Sequence, residues 1–215
     1  MRLLDALAAN NSSTRLEAAL ALGTRPSPGF ADALIERCGI EPDFFVRDML
    51  TWALTRLPAQ VTVPKLRARL GSERPQARSQ ALHTLSKIGD RSAWPAITRS
   101  LLRDADDDVA RSAWRAAVVL VPDGEKQALA GALATQFGRG DREVRLSLSR
   151  ALVALGEIVE PVLQTAMTNP DPVVRAHARA TGVLLRDPDA GFDLAIGEAR
   201  RVRALGPDRE ESTAC

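Results

Sequence analysis

Gly89-Asp90-Arg91-Ser92-Ala93-Trp94-Pro95-Ala96-Ile97, followed after a short gap by Asp104-Ala105-Asp106-Asp107-Asp108-Val109-Ala110-Arg111-Ser112-Ala113-Trp114-Arg115-Ala116-Ala117-Val118-Val119-Leu120, decides the fold. The stretch reads as helix, tight turn, helix. The first helix is expected from about Ser92 to Leu102, with Ile97, Leu101 and Leu102 on one face. Asp90 and Ser92 are candidate caps, and Pro95 sits in the first turns, where a missing N–H costs least. Asp104 to Asp108 makes the turn and sets negative charge at the next helix N-terminus. The second helix then carries Val109, Ala113, Ala116, Ala117 and Leu120 on its inner face. One such pair cannot bury its apolar stripe. Stacked neighbours can, so the pattern has to repeat.

It does repeat. The start of the second helix recurs at Thr14-Arg15, Val46-Arg47, Ala77-Arg78, Val109-Ala110, Val144-Arg145 and Val174-Arg175, at intervals of 32, 31, 32, 35 and 30 residues. Asp43, Asp141 and Asp171 stand three residues before a Val of this series, where a carboxylate caps the helix. The Arg four residues after such an Asp can pair with it or with the acid of an adjacent unit. Asp171-Pro172-Val173-Val174-Arg175 carries the full Asp-Pro-x-Val-Arg pattern, and Ile88 to Ile97 carries the turn between units. In these motifs the chain resembles the HEAT repeat over roughly residues 2–186. The resemblance implies an all-α, right-handed α-solenoid of about six HEAT-like helical pairs. It implies no activity, because such folds host many.

In chain order the expected pairs are Arg2–Ala9 with Ser13–Leu22, Phe30–Cys38 with Asp43–Leu57, and Val63–Leu70 with Pro75–Ile88. The stretch quoted first is the fourth pair. Glu125–Phe137 with Asp141–Leu155 and Val159–Thr168 with Asp171–Leu185 follow, the former after a longer link at Pro122 to Gly124. A C-terminal capping helix is expected over Gly191 to Leu205. The domain expectation is a single repeat domain over 1–205 and a flexible tail over 206–215. No alternation of the β type survives inspection, and Ala and Leu stand where β-branched residues would be needed.

Hydrophobic content of 45% is ordinary for a folded core, and the 4% aromatic content with no Tyr fits packing by Ala, Leu and Val. No apolar run reaches membrane-spanning length, and the start of the chain carries Asp5 and no secretory cleavage pattern. A cytoplasmic location is the expectation. Only Cys38 and Cys215 are present, which suits reduced thiols. The net charge of +2 is small for a nucleic-acid binder. Arg outnumbers Lys 26 to 3. Arg suits fixed ion pairs between units and bidentate recognition, and GC-rich codon usage explains the bias equally well.

In a stack of this kind the second helix of each pair lines the concave face. The second unit then offers Phe45, Asp48, Thr51, Trp52 and Thr55. The third offers Ser79, His83 and Ser86, and the fourth Arg111, Trp114 and Arg115. Ser149 and Arg150 come from the fifth and Arg179 from the sixth. One column reads Trp52, His83, Arg115, Arg150. Exposed Trp and Arg dominate binding hot spots, although Trp52 and Trp114 can equally fill gaps between units. The expected partner-binding residues are Asp48, Trp52, His83, Arg111, Trp114, Arg115 and Arg150.

Chemistry is harder to place. His83 and His177 have no Cys, His or Glu at metal-ligand spacing, and the His-Glu pairs of the iron-binding HEAT hydroxylases are absent from the sequence. His177 is expected in helix packing. Asp106 to Asp108 lacks the later ligands of a calcium loop, and Gly138-Arg139-Gly140 is too short for a phosphate loop. No catalytic residue, cofactor or metal is therefore expected. The leading expectation is a non-enzymatic protein-binding scaffold or regulatory adaptor, holding a helix or extended segment of another protein. A DNA-binding protein similar in architecture to the HEAT-like alkylpurine DNA glycosylases is the alternative, resting on Trp52, Trp114 and Asp48 beside Arg111, Arg115 and Arg150. A phycobilin-lyase-like protein is the third, and no acid, base or ligand set in the sequence supports it.

Overall fold

The computed structural model describes residues 3–187, which form helices and turns with no strand among them. The expected capping helix and tail lie outside the described residues. The chain packs as two compact units that divide between Glu125 and Lys126, after the Pro122–Gly124 link.

The first unit holds four helical pairs: α1 (Leu3–Ala6) with α2 (Ser12–Thr24), α3 (Ala31–Cys38) with α4 (Phe44–Thr55), α5 (Ala59–Arg69) with α6 (Pro75–Ile88), and a 3₁₀ segment (Arg91–Ala96) and α7 (Arg99–Leu102) with α8 (Asp107–Leu120). The second helices stack in order, α2 on α4, α4 on α6 and α6 on α8. The second unit holds α9 (Lys126–Ala134) with α10 (Arg142–Val153), and α11 (Glu160–Met167) with α12 (Pro172–Arg186). There α10 packs on α12. The chain is thus all-α and built of six helical pairs among the described residues.

The sequence explains where these helices start. Asp43 accepts from the N–H groups of Phe45 and Val46, Asp141 from Val144 and Asp171 from Val173. Asn11 and Asp106 do the same for α2 and α8. Each satisfies one or two amides that a helix end leaves bare. At α6 the cap position is Arg74, and Pro75 opens the helix instead, with its fixed φ and no N–H to satisfy. Gly89 closes α6 in the left-handed region at φ 71°, a conformation that glycine adopts at no steric cost.

The recurring Arg holds the loop before its own helix. Nη1 of Arg15 donates to the carbonyls of Ala9 and Asn10, and Nη1 of Arg175 to those of Asn169 and Pro170. Arg47 and Arg78 repeat the arrangement on Glu41 and Pro42 and on Ser72 and Glu73. These carbonyls have no helical partner, so the guanidinium supplies what the loop lacks. Two of the arginines also reach the next pair. Arg15 grips Glu41 at 2.7 and 2.8 Å, and Arg78 grips Asp104 at 2.9 Å twice. The acid engaged is not the helix cap but the residue two before it. Its own carboxylate accepts the cap's N–H, Asp43 N–H at Glu41 and Asp106 N–H at Asp104.

The quoted stretch departs from expectation in its first helix. Pro95 removes an N–H and its ring crowds the preceding turn, so the chain takes a 3₁₀ path to Ala96 and breaks at Ile97, whose ψ is 85°. Thr98 restarts it, its hydroxyl accepting from Leu101 N–H. The apolar face is kept: Ile97, Leu101 and Leu102 are buried. In α8 the inner face is fully covered, with Val109, Ala113, Ala116, Ala117 and Leu120 at 0% exposure.

In the second unit His177 is a core residue. Gly138 N–H donates to its Nδ1 at 3.1 Å, so the ring proton sits on Nε2, 3.0 Å from the Arg145 carbonyl and 3.1 Å from Ser149 Oγ. Phe137 meets the ring edge-on at 5.0 Å. Burial drives its pKa down to about 4, against the Arg145 carbonyl, which favours the charged form.

Candidate functional site

Counting nine residues from each helix cap in the first unit reaches Leu20 on α2, Trp52 on α4, His83 on α6 and Arg115 on α8. Leu20, Trp52 and Arg115 are exposed, and His83 is half-buried. The position lies opposite the inward Val and Leu at 100° per residue, which is why it stays open. The row crosses four packed helices.

Trp52 is held in place. Its ring lies on Gly23 of α2, where any Cβ would collide with it, and it remains 37% exposed. Leu20 stands on the same face of α2, one turn before Gly23. At the start of α4, Phe44 and Phe45 are 65% and 70% exposed and meet edge to face at 5.6 Å. The Arg47 guanidinium lies over the Phe44 ring, 6.0 Å from its centroid.

Beside this apolar end, α4, α6 and α8 enclose a recess of about 330 Å³. Arg47 and Asp48 come from α4, His83 from α6, and Asp108, Arg111 and Arg115 from α8. Phe44, Thr51, Ser79, Gln80 and Ser112 complete the wall. Ser79 and Ser112 share a hydrogen bond of 3.0 Å that ties α6 to α8 beneath it. The pKa of His83 is lowered by desolvation first and then by Arg115 and Lys87, with Asp48 opposing. That of Arg115 is lowered by desolvation and by Arg111, with Asp108 opposing. The two guanidinium groups on α8 therefore feel each other across a partly dry surface.

Four of the seven expected site residues, Asp48, His83, Arg111 and Arg115, share this recess. Trp52 stands outside it on the α2 side. Trp114 does not belong to any open face. It is 0% exposed, and its Nε1 donates to the Leu102 carbonyl at 2.8 Å, so it is a core residue of the fourth pair. Eight residues after the cap lies the flank of the helix, not its open side. Thr51 and Ser149 share that position and are buried as well. Arg150 is an exposed residue of α10 in the second unit and takes no part in the recess. Sequence reasoning missed Leu20, Phe44 and Arg47. The signal for Phe44 was present: two consecutive Phe in a helix first turn, where polar residues are usual. The spacing makes Arg47 a partner for the capping Asp or for an acid of an adjacent unit; in the structure it holds the loop carbonyls of Glu41 and Pro42 and also lines the recess.

Among the described residues no three His, Cys, Asp or Glu side chains converge as metal ligands would. No described helix is long and apolar enough to cross a membrane.

Comparison with known proteins agrees with the architecture. The family model described as HEAT repeats matches residues 46–118, from α4 to α8. A search of curated proteins finds no match. Among solved structures, the complex of CpcE and CpcF of phycocyanin lyase from Nostoc sp. PCC7120 is 18% identical, with 96% of this chain and 88% of that one covered and a TM-score of 0.50. Human deoxyhypusine hydroxylase in complex with glycerol is also 18% identical, covering 96% and 90%, with a TM-score of 0.47. An engineered protein is 22% identical, covering 92% and 96%, with a TM-score of 0.46. At 18% identity the phycocyanin lyase complex speaks for the fold and not for an activity.

Proposed function

We propose that this chain of HEAT repeats is a non-enzymatic protein-binding scaffold or regulatory adaptor. Its binding surface is the open face of α2, α4, α6 and α8. The observation that carries this reading is the row Leu20, Trp52, His83, Arg115, which keeps large side chains open while the inward faces of the same helices are filled. Trp and Arg set among small Ser and Thr side chains are what a partner's side chain can lodge between. Stacked helical pairs commonly serve this use, which adds analogy to the physical warrant.

The test is partner capture from an extract of the source cells, comparing wild type with Trp52→Ala and Arg115→Glu. Arg115 is exposed, so Arg115→Glu should melt within about 0.5 kcal/mol of wild type, the usual range for surface substitutions, while Trp52→Ala gives up the packing of its ring on Gly23 and should cost about 1 kcal/mol with the fold intact. The expected result is one or more proteins held by wild type and lost by both variants. Equal capture by all three would place the binding surface elsewhere. Fluorescence anisotropy with a DNA duplex at near-physiological salt settles the alternative. Weak, strongly salt-dependent binding is expected, because acids are interleaved with the arginines.

A further inference from the structure

In the first unit, arginines withdrawn from water are matched closely to carboxylates. Arg15 and Arg37 share Glu41 at 2.7 and 2.6 Å, and Arg78 holds Asp104 at 2.9 Å. The recess breaks this pattern. Among the described residues, Arg47 and Arg115 have no carboxylate within ion-pair distance. Arg111 has a loose one, Asp108 at 3.6 Å, whose side chain is 82% exposed and largely in water. The Nε of Arg111 is buried with no acceptor. Arg115 donates to Ser112 Oγ at a long 3.3 Å. A buried donor without an acceptor is costly, and neighbouring guanidinium groups without counter-charge repel. An incoming anion supplies the missing counter-charge.

We propose that the recess is a carboxylate subsite, taking an Asp or Glu side chain from an acidic segment of the protein partner. This rests on the protein-binding reading above. The charge count favours a carboxylate over a phosphate. Arg47, Arg111 and Arg115 against Asp48 and Asp108 leave a single net positive charge, which one carboxylate neutralises and a phosphate dianion exceeds. The planar fork of Arg also suits bidentate pairing with a carboxylate. A nucleic-acid strand would bring several phosphates past two resident acids, which is unfavourable.

His83 reports on occupancy. The charges around it are Arg47 and Asp48 from α4, Lys87 on its own helix, and Asp108, Arg111 and Arg115 from α8. A carboxylate set among them favours the imidazolium, so binding raises the His83 midpoint. His177 is the only other histidine and is enclosed in the second unit, so it serves as an internal reference.

The experiment follows the ring signals of both histidines by NMR in the full chain at constant ionic strength. The probes are hexaglutamate, hexaglutamine, hexalysine and inorganic phosphate. Hexaglutamate should shift the His83 signals saturably and raise its midpoint by about one pH unit, leaving His177 unmoved. Hexaglutamine and hexalysine should do neither. In the Arg111→Gln, Arg115→Gln double variant the hexaglutamate response should vanish, and a melting curve near wild type shows that the fold persists. No response to hexaglutamate, an equal response in the double variant, or a response to phosphate alone overturns the carboxylate subsite. If the double variant still captures a protein that Trp52→Ala loses, the binding surface stands and the subsite falls.

Discussion

Glu41→Gln should destabilise the first unit by about 3 kcal/mol, and the loss should depend on pH. The Glu41 side chain has no exposed surface and lies between Arg15 and Arg37, with Asp43 N–H on one oxygen. Burial alone would raise its pKa. The hydrogen bonds from Arg15, Asp43 N–H and Arg37 outweigh burial and hold it at about 2, against 4.5 in the open chain. That gap is worth on the order of 3 kcal/mol in favour of the folded state. Breaking a buried ion pair on one side costs about 3–5 kcal/mol, and the two ranges meet near the lower figure. The sign follows from the direction of the shift. Because the folded pKa is depressed, the stabilisation is complete above pH 4.5 and drains away as pH falls towards 2. Urea melts of wild type and Glu41→Gln at a series of pH values read this directly. Wild type should lead by about 3 kcal/mol at pH 7, and the two curves should converge near pH 2. A gap below about 1 kcal/mol at pH 7 would put this pair in the range of an exposed one and refute the reasoning. So would a gap that stays constant down to pH 2.

Further outcomes follow from the packing. Ala113→Leu and Ala151→Leu should each cost on the order of 1–3 kcal/mol in denaturant melts by overpacking, since both alanines are buried, and neutral results would mean the helix register is wrong. Trp114→Ala should cost about 3–5 kcal/mol and leave the Leu102 carbonyl short of a donor, whereas Trp52→Ala should be mild; the reverse order would return Trp114 to the surface. The second unit should weaken as pH falls from 6.5 to about 4, because His177 folds neutral and the unfolded chain takes up the proton first. The ceiling is on the order of 3 kcal/mol, and His177→Gln should flatten that part of the pH–stability curve.

The fold was legible because its cues are local and repeated. A carboxylate three residues before a Val, and an Arg four after the carboxylate, both act on backbone groups within one turn or loop. Spacing alone therefore finds Asp43, Asp141 and Asp171, but not the pairing of Arg78 with Asp104, because Arg78 follows Arg74 and not an Asp. The cue failed where a single residue changed the local path. Pro95 split one expected helix, and α5 begins at Ala59, before the expected Val63, so that Pro64 falls inside the helix and not in its first turn. The site was legible only by column. Positions opposite the core, such as Trp52, His83 and Arg115, follow from helical periodicity. Trp114 lies one residue before such a position, where the distinction between open face and flank depends on how closely the next helix approaches. Periodicity carries no such distance. Nor does it show which arginines are spared from ion pairs, since Arg47 and Arg78 stand at the same position after their caps and look alike until Asp104 is placed in space.

The most direct test of the open face as the binding surface is site-specific photo-cross-linking. A photoreactive residue replaces His83 in one protein and Arg99, an exposed residue of α7, in another, and each is irradiated with the same source-cell extract. The open-face account predicts a discrete adduct from position 83 that disappears when Trp52→Ala is added, and none from position 99. An adduct from position 99 with none from position 83 would contradict it and move the binding surface to the first helices of the pairs.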